Sequence, residues 1–210
     1  MKKPIAGIIN ISINNILSIK RALEFIGFDT VLINEHVPIE KFDLIVLPGV
    51  GAFNEAMNTL NKSNLLKTID QALIKNKKFL GICLGMQLLF EQSNEFVKTK
   101  GIGFFNGKVE SFKGLPIYKK TFIGWNKVNF NKKFFMSDAQ YDLLQNKAYY
   151  FVHSFFVNCT SKHIEFGNSI NGELTYSSVV KKDNVTAFQF HPEKSGTDGL
   201  NLLKTIKREI

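Results

Sequence analysis

Arginine is nearly missing from this 210-residue chain: Arg21 and Arg208 stand against 25 lysines among its 27 basic residues. The formal net charge is +9, a balance that can mark nucleic-acid or anionic-membrane partners. Arginine, however, is the residue that clamps phosphates and reads guanine edges with paired donors. The lysines are scattered singly or in pairs, such as Lys77-Lys78, Lys132-Lys133 and Lys181-Lys182. Dispersed charge builds no stripe that could follow a phosphate backbone, so no nucleic-acid partner is expected. Cysteine is equally scarce. Cys83 and Cys159 are too few for a disulfide framework in a chain this long and fit a reducing, cytoplasmic compartment. No apolar run approaches the roughly 18 residues of a membrane-spanning helix. The stretch from Ile5 to Ile19 is interrupted by Asn10, Asn14 and Asn15 and lacks a small-residue cleavage site, which argues against a signal peptide.

What is present is ordinary for a globular protein: 44% hydrophobic and 21% charged residues, with a mean hydropathy of −0.04. The length predicts one domain over residues 1–210. Ile5 to Ile9 reads as a strand buried on both faces. Asn15 can cap a helix with apolar residues Ile16, Ile19, Leu23 and Ile26 at spacings of three and four, ending at Gly27. Strands follow at Thr30 to Ile33, Phe42 to Leu47 and Lys78 to Ile82, with helices over Phe53 to Leu60, Leu65 to Lys75 and Leu84 to Phe90. That alternation implies βαβ units. After about residue 100 the pattern turns to strands: 107–112, 122–130, 148–158, 163–170, 174–180 and 186–190. Asn171-Gly172 and Lys182-Asp183-Asn184 provide hairpin turns, and a helix over 198–207 closes the chain. The expected class is α/β, a mostly parallel central sheet with flanking helices and an antiparallel extension in the second half.

The chemistry concentrates in Gly81-Ile82-Cys83-Leu84-Gly85, a Gly-x-nucleophile-x-Gly elbow with cysteine in the serine position. It places Cys83 between a strand and a helix, where glycines tolerate the tight turn and the helix N-terminus favours a thiolate. A buried structural cysteine is the competing reading. A nucleophilic cysteine needs a base, and the base needs an orienting group. Of four histidines, His36 and His163 read as surface residues, and His153 as either a core histidine or a pocket wall. His191 ends an apolar strand and precedes Pro192-Glu193. In extended backbone Glu193 shares its face and can fix its tautomer. Pro48-Gly49-Val50-Gly51, ending a strand that neighbours the cysteine strand, can turn backbone N–H groups toward a developing oxyanion.

With these residues in place, the sequence resembles the class I (triad) glutamine amidotransferases, and within them the glutaminase subunits of imidazole glycerol phosphate synthases. The matching segments are PGVGAF (48–53), GICLGMQLLF (81–90), GWN (124–126), YFVHS (150–154) and FQFHPEKSG (188–196), in family order. The resemblance implies a flavodoxin-like fold in which Cys83 attacks the amide of L-glutamine, His191 carries the proton and Glu193 orients it. It implies an oxyanion hole at Val50, Gly51 and Leu84, and glutamine held by Gln87, Glu95, His153, Ser154 and Phe155. Asn15, Tyr150 and Lys194 match positions facing a partner, a (β/α)8 cyclase subunit that would receive the ammonia for histidine biosynthesis. Neither metal nor cofactor is implied. The sequence departs from the family at Ser12-Ile13-Asn14-Asn15, where Gly-x-Gly-Asn is usual, and at Thr121-Phe122-Ile123, where Pro-His often stands. The alternative is a paralogue feeding ammonia to a related barrel synthase for sugar amidation in surface polysaccharide synthesis. A non-catalytic binding protein and a free-standing γ-glutamyl hydrolase stand further off.

Overall fold

The computed structural model describes residues 2–11, 16–112 and 121–210. In chain order the elements are β1 (Ile5–Ile9), α1 (Ile16–Phe25), β2 (Asp29–Ile33), β3 (Leu44–Gly49), α2 (Phe53–Lys62), α3 (Leu65–Ile74), β4 (Phe79–Cys83) and α4 (Leu84–Leu88). Then come β5 (Phe90–Ser93), β6 (Thr99–Lys100), β7 (Phe105–Ser111), β8 (Phe122–Lys127), β9 (Asn129–Phe130) and α5 (Asp138–Leu144). The chain finishes with β10 (Ala148–His153), β11 (Phe155–Cys159), β12 (Glu165–Asn171), β13 (Leu174–Lys182), β14 (Val185–Phe188) and α6 (Gly196–Arg208).

Among the described residues the main sheet runs β2-β1-β3-β4-β14-β13-β11-β7-β5-β6, with β12 pairing β13 and β9. The first five strands are parallel neighbours, and β13 against β14 begins the antiparallel part. Strands β1, β3 and β4 are apolar at nearly every position because helices cover both faces. Period-two alternation sorts their side chains. Ile45, Leu47 and Phe79 pack with Met57, Leu60, Leu65 and Ile69 of α2 and α3. Leu44, Val46, Leu80 and Ile82 pack with Ile19 and Leu23 of α1 and Leu202 and Ile206 of α6. Each such side chain withdrawn from water contributes about 1.5–3 kcal/mol.

Two registers position the functional loops. Gly49 lies opposite Cys83 across β3 and β4, and Phe188 lies opposite Ile82 across β14 and β4. The chain therefore leaves three adjacent parallel strands at one carboxyl edge, the usual location of ligand sites in open α/β sheets.

The structure departs from the sequence reading in several places, and the strand expected over 163–170 starts only at Glu165, after a 3-10 turn over Lys162–Ile164. The helix expected over Leu84 to Phe90 stops at Leu88. The carbonyls of Leu88, Leu89, Phe90 and Glu91 accept instead from the N–H groups of Ile102, Phe105, Gly103 and Gly101, and β5 begins. The strand expected over 148–158 breaks at Ser154, because β10 pairs with β8 in a separate two-stranded ribbon, with a lone bridge from Tyr150 to His191, while β11 joins the main sheet. The strand over 122–130 divides into β8 and β9, and β9 turns aside to pair with β12. Helix α5 was not anticipated, although Ser137 and Gln140 form a reciprocal cap: Ser137 Oγ accepts from Gln140 N, and Gln140 Oε1 accepts from Met136 N. The two hairpin turns lie where the sequence placed them, joining β12 to β13 and β13 to β14.

Candidate active site

Cys83 sits at the β4–α4 junction with φ +53° and ψ −108°. A side-chain-bearing residue pays about 1–3 kcal/mol for such a backbone, and strain of this kind collects at functional sites. The turn also needs Gly85. A Cβ there would lie 1.8 Å from the carbonyl oxygen of Leu47 on β3. Helix α4 is only five residues long, so its N-terminus contributes less to thiolate stability than a full helix would. As its first residue, Leu84 keeps an N–H without an intrahelical acceptor.

His191 follows β14 and is buried, and its backbone N–H and carbonyl are both held. Its N–H donates to Tyr150 O at 2.8 Å, and its own carbonyl accepts from Ser195 Oγ at 2.6 Å. Ser195 Oγ in turn accepts from Tyr150 N at 2.9 Å. Its ring Nδ1 meets Glu193 Oε1 at 2.8 Å. A carboxylate accepts, so Nδ1 carries the proton and Nε2 is left for the sulfur side. The contact forms differently from expectation: Glu193 does not share an extended face with His191 but swings back through a 3-10 turn, Pro192–Lys194, with Pro192 at its start.

The imidazole and the sulfur interact without a closed hydrogen bond. His191 Nε2 is buried and has no hydrogen-bond partner among the described residues. Burial pulls the His191 pKa down, but the Cys83 charge, and after it Glu193, outweigh burial and raise it to about 10. Two further groups hold the sulfur. Cys83 Sγ lies 3.7 Å from the carbonyl oxygen of Val152 and 3.8 Å from Gln189 Nε2.

Beside the sulfur opens a cleft of about 280 Å³, lined by Val50, Gly51, Leu84, Gln87, Glu95 and the 152–155 segment, with Thr121 at its rim. That volume is at the small end for ligand sites. Gly51 has φ +112°, a left-handed conformation suited to glycine. Glu95 Oε2 accepts from Phe53 N at 2.8 Å, so this carboxylate caps α2 from another loop. Burial raises its pKa, partly offset by that bond. Gln87 Nε2 donates to Phe155 O at 2.9 Å. His153 Nδ1 donates to the same carbonyl at 2.8 Å, leaving Nε2 facing Tyr176 Oη at 3.5 Å. Burial keeps this imidazole neutral, with its pKa lowered to about 4. His153 is thus both a satisfied buried histidine and part of the cleft wall. Ser154 Oγ shares a 2.8 Å hydrogen bond with Thr121 Oγ1.

Of the partner-facing positions, Asn15 lies outside the described residues. Lys194 Nζ stands 5.9 Å over the Tyr150 ring, and Tyr150 makes an edge contact with Trp125 at 6.1 Å. Ile123 and Trp125 of β8 are more than half exposed. Sequence reasoning missed Val152, Gln189, Thr121 and the exposed pair Ile123 and Trp125. Val152, Gln189 and Trp125 stood inside the matching segments YFVHS, FQFHPEKSG and GWN, and Thr121 and Ile123 inside the departing Thr121-Phe122-Ile123, but nothing local set any of them apart from its neighbours. His36, beside Thr68, and His163, in a 3-10 turn, lie on the surface away from the cleft. Cys159 is buried with its Sγ 3.5 Å from Ser161 O, and both cysteines are free. Among the described residues no group of three or more His, Cys, Asp or Glu side chains could hold a metal ion, and no helix is long and apolar enough to cross a membrane.

The comparisons with known proteins agree with one another. A family model described as "Glutamine amidotransferase class-I" matches residues 7–206. The imidazole glycerol phosphate synthase subunit HisH of Caldanaerobacter subterraneus subsp. tengcongensis is 41% identical over 97% of this chain and 98% of its own length. The protein of the same name from Aquifex aeolicus is 41% identical over 96% of this chain and 95% of its own. Among solved structures, PurLQS from Thermotoga maritima superposes with a TM-score of 0.78, covering 99% of both chains at 18% identity, which is a likeness of fold.

Proposed function

Because this chain belongs to the class I glutamine amidotransferase family, we propose that it is the glutaminase subunit of an imidazole glycerol phosphate synthase. It acts as one domain that hydrolyses L-glutamine and passes the ammonia to a (β/α)8 cyclase subunit in a heterodimer. The observation that carries this reading is the meeting of a strained cysteine, a carboxylate-oriented imidazole and a small cleft at one sheet edge.

The chemistry follows from the arrangement. His191 Nε2 takes the Cys83 proton, and Sγ adds to the side-chain amide carbon of glutamine. Negative charge develops on the amide oxygen, within reach of the Leu84 N–H and the Val50–Gly51 peptide N–H. Collapse of the adduct breaks the C–N bond, His191 returns its proton to the leaving nitrogen, and a glutamyl thioester remains. Water then attacks with His191 as base, releasing glutamate and restoring the thiol. Glu193 keeps Nε2 free for these transfers by holding the proton on Nδ1. Glu95 provides a negative partner for the substrate's α-ammonium, and Gln87 with the 153–155 segment shapes the rest of the cleft.

The partner docks over Tyr150, Lys194 and the exposed Trp125 and Ile123. Aromatic anchors of this kind dominate binding energy at interfaces. Tyr150 couples that face to the reaction centre, because its backbone bonds directly to His191 and Ser195. Ammonia handed across a closed interface stays unprotonated and nucleophilic.

The test is glutamate release by the chain mixed with a cyclase subunit and that subunit's nucleotide substrate. Release that depends on both, and that vanishes in Cys83→Ala, is expected. Release only with a different barrel synthase would move the acceptor to another pathway, and release by the Ala variant would overturn the nucleophile.

A further inference from the structure

The geometry points to Gln189 as a positioning residue that presents a fixed N–H donor to the Cys83 sulfur. This inference rests on the reading of Cys83 as nucleophile. Gln189 is fully buried just beyond the end of β14, and its side-chain amide makes two contacts: Nε2 is 3.8 Å from Cys83 Sγ, and Oε1 accepts from Gln87 Nε2 at 3.2 Å.

An amide can ordinarily turn end for end, but the surroundings decide this one. The Phe155 carbonyl can only accept, so the nitrogen of Gln87 must face it. The second hydrogen on that nitrogen then takes the oxygen of Gln189 as its acceptor. Flipping Gln189 would set two donors against each other and aim an oxygen at the sulfur. The order Phe155 carbonyl, Gln87, Gln189, Cys83 therefore propagates one direction of polarity from a backbone carbonyl to the nucleophile.

The two contacts of the sulfur differ in kind. Val152 O can only accept, so it favours the thiol. The Gln189 N–H serves a thiolate better than a thiol, because a donor to an anion makes the stronger bond. Gln189 thus offsets the carbonyl when the proton moves to His191, and holds the sulfur in place while it is charged. Because Gln87 also lines the cleft, the same relay joins the glutamine site to the nucleophile. The other titratable groups facing this region are His191 with Glu193 behind it, and His153 and Glu95 across the cleft.

Two substitutions separate the donor from mere packing. Gln189→Glu keeps an oxygen for Gln87 but puts a carboxylate against the sulfur, and Gln189→Leu removes both bonds. The readout is the pH dependence of Cys83 alkylation by iodoacetamide on the full chain, which requires neither glutamine nor a partner. The expected result is a midpoint raised by about one pH unit or more in Gln189→Glu and by less in Gln189→Leu, a roughly tenfold loss of thiolate at fixed pH for the former. With partner and glutamine, kcat should fall while KM changes by less than about threefold, since the lost bond acts on the charged sulfur. A native-like fold with an unchanged alkylation midpoint in both variants would overturn the proposal. Should neither variant fold, the unsubstituted protein decides: the Gln189 side-chain amide NMR signals should shift through the Cys83 titration and stay still in Cys83→Ala. Static signals in both would overturn it as well. Absence of glutamate release by the unsubstituted protein with partner and glutamine, while the Gln189 variants still shift the alkylation midpoint as expected, would instead count against the glutaminase reading alone.

Discussion

His153 shows how one side chain can serve a site by never ionising. It is enclosed by Phe112, Phe122, Phe151 and Tyr176, its Nδ1 proton is committed to the Phe155 carbonyl, and burial lowers its pKa from 6.5 to about 4. A folded pKa below the unfolded one means that the unfolded chain binds the extra proton first. The stability this histidine contributes is therefore complete above pH 6.5 and drains away as the pH falls toward 4, by about 3 kcal/mol in all. Urea titrations between pH 7 and pH 4 should show that loss, and His153→Phe should flatten the slope even though it surrenders the bond to Phe155. An unchanged slope in the variant would place the acid sensitivity elsewhere. The sequence left His153 undecided between core and pocket because both descriptions hold. Gln189 stood unremarked inside the FQFHPEKSG segment, since its meaning lies in Gln87, 102 positions away.

At the scale of elements, the nucleophile elbow depends on how closely α4 approaches β3. Gly85→Ala places a methyl group 1.8 Å from the Leu47 oxygen, and backbone on both sides leaves nothing soft to yield. A cost of about 3 kcal/mol or more is expected, enough to abolish folding in a marginal domain. A urea midpoint equal to that of the unsubstituted chain would refute this account of the elbow. The parallel half of the sheet was readable from sequence because its strands are short apolar runs separated by helices of clear 3.6 period. The second half was less so. Periodicity cannot tell that carbonyls 88–91 will be claimed by residues 101–105, nor that one apolar run will serve two sheets with a break at Ser154. The break has a chemical consequence: Val152 O and Phe155 O flank it, one beside the sulfur and the other holding Gln87.

For the whole molecule, the two triad-bearing segments are over a hundred residues apart, and parallel pairing of β4 with β14 brings them side by side. The glycine-rich turn after β3 joins them because β3 is the next strand over. The motifs were legible one by one, and the α/β alternation already made the 48–51 turn a neighbour of the cysteine elbow; that β14 returns beside β4 on its other side follows from strand order, which no local pattern encodes. The most direct measurement of that convergence is peptide mapping by mass spectrometry after exposure to a chloroketone analogue of glutamine. Cys83 and Cys159 are both buried thiols, but only Cys83 opens onto the cleft beside His191. The account predicts one adduct, on Cys83, suppressed by excess L-glutamine and absent from Cys83→Ala. Labelling of Cys159 instead, or an adduct that glutamine fails to suppress, would contradict it.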